Sequence, residues 1–108
     1  MILELRIYHC MPTRLPALHD RFRNHTLAFW ATHGIRQVGF WTTLIGETNQ
    51  SLTYLLQWES LAEREQKWNA FQADPEWIKA RAASEAVQPI VARIENQFLV
   101  PTDYSAMR

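Results

Sequence analysis

The 108-residue chain has one cysteine, three glycines and only two lysines, and its eleven basic side chains are balanced by eleven acidic ones. Each scarcity closes a class of explanation. Cys10 stands alone and cannot form an internal disulfide, so nothing calls for an oxidising compartment. Three separated glycines leave no loop to cradle a phosphate. The four serines, at 51, 60, 84 and 105, include none in a G-x-S-x-G elbow. Balanced, scattered charge argues against a nucleic-acid partner, whose phosphates require clustered Lys and Arg. No apolar run approaches the roughly 18 residues of a membrane span, and no targeting segment is expected. The expected setting is therefore cytoplasmic. What is present is a 47% hydrophobic composition with five tryptophans. A chain of this length buries roughly two-thirds of its unfolded surface and folds without a structural metal.

Hydrophobic period orders the elements. Ile2 to His9 alternates, with Leu3, Leu5 and Ile7 on one face and Glu4, Arg6 and Tyr8 on the other, as in a strand. From Arg14 to His33 the period becomes helical, and Leu15, Leu18, Phe22, His25, Phe29 and His33 share one stripe. Gly34 ends this helix. A strand is expected over 35–45, a polar turn over 46–50, and a third strand over 51–58. Ser60 and Glu63 form a capping box for a helix reaching about Ala73, and Asp74-Pro75 starts another short one. The fourth strand spans 90–100. This β-α-β-β-α-(α)-β order predicts the α+β class: a ferredoxin-like four-stranded antiparallel sheet with helices on one face.

Helices cover only one face of such a sheet, yet both faces carry apolar residues. Strand two has Phe40 and Leu44 on one side and Trp41 and Ile45 on the other. Strand three sets Leu52, Tyr54, Leu56 and Trp58 opposite Thr53, Leu55 and Gln57. The uncovered face then needs a partner, and a homodimer is the simplest one. Glu4, Arg6 and Tyr8 are expected to share the face turned away from the helices with Val91, Arg93, Glu95, Gln97 and Leu99. That arrangement would form an ion-pair network at the dimer core.

Five segments resemble a known family. Glu4-Leu5-Arg6-Ile7-Tyr8 is similar to the E-L-R-x-Y opening of NIPSNAP domains, and 39–46 to their G-x-W-x-T-x-x-G strand. Ser60-Leu61-Ala62-Glu63-Arg64-Glu65 resembles their S-L-A-x-R-E helix start. Asp74-Pro75-Glu76-Trp77 and 95–101 resemble the closing segments. Met11-Pro12-Thr13 departs from a turn where the family often has Pro-Gly. The resemblance implies a dimeric α+β barrel; the element order puts the NIPSNAP-like ferredoxin-like domain over 1–101 and leaves a C-terminal tail over 102–108. It implies no reaction, since related barrels include haem-degrading and cofactor-free monooxygenases, isomerases and non-catalytic proteins.

Candidate chemistry centres on His25, placed by helical spacing between Phe22 and Phe29, where an imidazole could serve as general base or ligand anchor. The plainer reading is a core histidine bonded to a carbonyl. Arg64 falls on the inward stripe of its helix, so it must meet a carboxylate, with Glu59 and Glu47 the nearby candidates, or an anionic ligand. Phe29, Trp41, Tyr54 and Trp68 either wall a cavity or fill a core. The four histidines have no metal-ligand spacing, and no metal or other cofactor is expected. Cys10 is read as structural. The expected function is binding of a small apolar or aromatic molecule between helices and sheet, with cofactor-independent monooxygenation or isomerisation as the accompanying chemistry and His25 as base. The alternative is a non-catalytic dimeric scaffold with a solid core.

Overall fold

Alternating side chains from Ile2 build β1 (Ile2–Cys10), which lies inside the sheet and pairs antiparallel with β3 (Ser51–Trp58) and β4 (Val91–Leu99). A computed structural model describes residues 1–108. With β2 (Arg36–Thr42) beside β3, the sheet order is β2-β3-β1-β4. The helices are α1 (Leu15–Arg21), α2 (Leu27–His33), α3 (Leu61–Gln72) and α4 (Pro75–Ser84). Between α1 and α2 the chain makes a π-helical turn, Phe22–Thr26. This is the α+β, ferredoxin-like arrangement expected.

Local chemistry sets the ends. Gly34 closes α2 at φ 72°, a left-handed position that glycine adopts without strain. Ser60 accepts a hydrogen bond from the Glu63 amide at the start of α3, and Asp74 accepts one from the Glu76 amide at the start of α4. The second strand stops at Thr42 rather than running to Ile45. Leu44 and Ile45 project almost wholly into solvent, and the chain between β2 and β3 forms a longer loop than the expected turn.

Two expectations about faces are overturned. Glu4, Arg6 and Tyr8 point toward the helices and are buried, while Leu3, Leu5 and Ile7 lie on the uncovered face. Period-2 alternation separates two faces but does not say which one turns inward. Here the helix-bearing side supplies neutralising partners for the charges. The β1–β4 register also differs: Glu4 pairs with Phe98, Arg6 with Asn96 and Tyr8 with Ile94. A bulge between His9 and Cys10 adds the extra residue, and a one-residue shift moves every side chain to the other face. Arg93 and Glu95 therefore share the open face with His9, which pairs with Glu95.

The π turn corrects the helix stripe. The Leu27 amide donates to the Phe22 carbonyl five residues back, so one extra residue enters the turn. The buried positions become Phe22, Thr26 and Trp30 rather than 22, 25 and 29. His25 is consequently exposed, and its expected place on the inward stripe does not exist.

Candidate functional site

The most polar part of the interior lies where β1, β3, β4 and α3 meet. Glu4 has no solvent exposure, and its carboxylate accepts five hydrogen bonds. Oε1 takes Trp58 Nε1 at 3.0 Å and Arg64 Nε at 3.2 Å. Oε2 takes Arg6 Nη1 at 3.0 Å, Arg64 Nη2 at 3.2 Å and Asn96 Nδ2 at 2.6 Å. Burial by itself would raise the carboxyl pKa, but hydrogen bonds from Arg64 and Asn96 and the charges of Arg6 and Arg64 hold it below its ordinary range. One carboxylate thus pairs with two guanidinium groups, and its own desolvation is offset by a nearly complete set of partners.

Arg6 continues the chain of bonds. Its Nε donates to the Tyr54 hydroxyl at 2.7 Å, Nη2 donates to the Tyr8 hydroxyl at 3.3 Å, and the two phenol oxygens lie 2.8 Å apart. The guanidinium also sits 4.6 Å from the centre of the Trp68 ring. Burial opposes the Arg6 charge, but the oxygens of Tyr8, Tyr54 and Glu4 outweigh it and push the pKa upward. Burial, and then the neighbouring Tyr8, raise the Tyr54 pKa well above that of a free phenol, so Tyr54 stays protonated. Three of the segments that carry the family resemblance converge here. They contribute Glu4, Arg6 and Tyr8 from β1, Arg64 from the start of α3, and Asn96 from β4.

Two cavities flank this core. One, of about 250 Å³, lies between the N-terminal helices and the β2 edge, walled by Phe22, Leu27, Phe40, Trp41 and Leu52, with His19 and Arg23 beside them. The other, of about 330 Å³, opens between β1, β4 and the helices, and Arg6 and Tyr8 form part of its lining.

The six expected site residues divide. Tyr54, Arg64 and Trp68 come together around Glu4 and Arg6, with Arg64 5.3 Å from the Trp68 ring centre. The partner of Arg64 is Glu4, not Glu59 or Glu47. Phe29 lies elsewhere, edge-on to Trp77 at 5.8 Å. His25 faces solvent, and Trp41, half exposed at a position on the open face, also contributes to the lining of the β2-edge cavity. None of the other five lines either cavity. Sequence reasoning missed His19, Phe22, Phe40, Tyr8 and Arg21 as cavity residues. Arg21 left a visible signal: a basic residue between Leu18 and Phe22 on a helix face that must turn inward.

A family model described as NIPSNAP matches residues 3–106. No curated protein matches the chain. Among solved structures, an uncharacterized NIPSNAP-like domain protein from Burkholderia xenovorans is 28% identical, with a TM-score of 0.84 over 96% of this chain and 87% of that one. A NIPSNAP family protein from Agrobacterium tumefaciens is 23% identical, with a TM-score of 0.87 over 99% and 98%. A putative antibiotic biosynthesis monooxygenase from Chloroflexus aurantiacus is 13% identical, with a TM-score of 0.58 over 94% of each chain, a likeness of fold alone.

Proposed function

Because the chain belongs to the NIPSNAP family, we propose that it acts as a homodimer in which each subunit binds a small apolar or aromatic molecule between helix and sheet. The observation that carries this reading is the cavity of about 250 Å³ at the β2 edge. Five apolar side chains wall it and only a few polar groups stand beside them, the usual character of a small-molecule site. Its aromatic wall continues inward, since Phe22 packs edge-on against the buried Trp30 and Tyr54, each at 5.6 Å. Chemistry there falls to His19, the imidazole in the cavity wall. In this reading His19 accepts a proton from a bound electron-rich ring, the step that cofactor-independent oxygenation or isomerisation starts from. His25 has no part in this arrangement. The second copy would cover the open face, where Leu3, Leu5, Ile7 and Leu55 form an apolar patch extended by Trp41.

The scaffold alternative draws on the solidity of the central core, in which Trp58, Tyr54 and Leu56 have no exposure. One experiment separates the two readings. Leu27 lies at the cavity and is partly exposed, so Leu27→Trp fills the space without entering the core. Calorimetric titration with 2-naphthol is expected to show one saturable site per chain, weakened about tenfold or more in the variant. Absence of saturable binding, or equal affinity in both proteins, would overturn the pocket and favour the scaffold.

A further inference from the structure

The second cavity has a different chemistry. Four of its ten lining residues are arginines and one is a glutamate. Arg6 is already engaged by Glu4, but Arg21 and Arg81 leave positive charge in the walls. Arg21 is only 6% exposed, and its Nη1 donates to Glu85 Oε1 at 3.1 Å and Ser84 Oγ at 3.4 Å. Its Nε is buried with no acceptor. One buried donor of this guanidinium thus stays unpaired, and its charge is only partly met by Glu85.

Counting hydroxyl protons gives a second, independent indication. The Tyr8 and Tyr54 oxygens each accept a hydrogen bond from Arg6, and one phenol proton bridges the 2.8 Å between them. One phenol proton remains. Tyr54 is fully buried and has no other acceptor, so it supplies the bridging proton. The spare proton is then on Tyr8, which is 8% exposed and lines the cavity. A buried phenol with an unused O–H, beside a space walled by arginines, calls for an acceptor that carries negative charge.

We infer that this cavity is a binding site for a small organic carboxylate, distinct from the β2-edge pocket. The Tyr8 hydroxyl and the Arg21 guanidinium address the carboxylate, and Arg81 attracts it at the mouth. Val91 and Ile94 offer an apolar wall for a short hydrocarbon body. That wall, together with the Glu85 carboxylate that already takes up part of the Arg21 charge, favours a singly charged organic anion over inorganic phosphate. The two cavities share no lining residue, so the sites are separable by mutation.

The test is an NMR titration of the full chain with butyrate, benzoate, benzamide and inorganic phosphate. Carboxylates are expected to bind saturably and to shift the Tyr8 and Arg21 signals, with benzamide at least about tenfold weaker than benzoate. Tyr8→Phe keeps the ring but removes the donated proton and is expected to lose about tenfold in affinity. Arg81 is exposed, so Arg81→Ala leaves the core untouched and should weaken binding and lessen its salt dependence. Leu27→Trp should leave carboxylate binding unchanged, which keeps failure here distinct from failure of the β2-edge pocket. Benzamide or phosphate binding as tightly as benzoate would overturn the inference. So would carboxylate affinity unchanged in both Tyr8→Phe and Arg81→Ala, or the absence of any saturable carboxylate binding.

Discussion

Thr13 adopts φ 69° as the third residue of the turn in which the Arg14 amide donates to the Met11 carbonyl at 3.0 Å. A β-branched residue is strained there, and glycine is the residue such a turn favours. Thr13→Gly is therefore expected to stabilise the protein by about 0.5–1 kcal/mol, the relieved strain exceeding the added freedom of the unfolded chain. Denaturant melts check the sign, and a loss of stability would contradict it. The departure from Pro-Gly at this turn was legible in the sequence, whereas its left-handed geometry was not. Glu4 shows the opposite limit. Its alternation within β1 was plain and puts Arg6 on the same face, but its other donors, Trp58, Arg64 and Asn96, are brought to it only by tertiary pairing.

At the scale of elements, signals carried by neighbouring residues were readable: the Gly34 stop, the Ser60 and Asp74 caps, and the alternation of β3. Features that depend on one inserted residue were not. The bulge between His9 and Cys10 reversed the expected pairing of faces in β4, and the π turn displaced His25 from the inward stripe. Both errors are phase errors, because period arguments assume a regular element. Deleting Asn24, exposed within the π turn, removes the extra residue and brings the stripe back to ordinary α-helical spacing, with Trp30 still buried. The expected stability change is within about 1 kcal/mol. Deleting Ala28 from α2 instead rotates Trp30 away from Phe22 and Phe40, and should cost several times more. Equal losses from the two deletions, measured by urea unfolding, would contradict the phase argument.

For the whole molecule, the sheet separates two tasks. Its inner face carries the Glu4–Arg6–Tyr54 network and is flanked by two cavities of unlike chemistry. Its outer face presents Leu3, Leu5, Ile7 and Leu55 without cover from the same chain. The sequence disclosed that both faces are apolar, which is the basis for assembly. It did not disclose the cavities, since their walls are drawn from segments far apart in the chain. No helix is long and apolar enough to cross a membrane. The outer face and the β2-edge pocket together call for two copies, each holding one small apolar molecule. Sedimentation equilibrium with 2-naphthol, recorded where only the ligand absorbs, measures both together. Ligand absorbance is expected to distribute as a species of twice 12.7 kDa, approaching one ligand per chain at saturation. Protein sedimenting as a single chain, or at twice that mass with the ligand left behind, would contradict it.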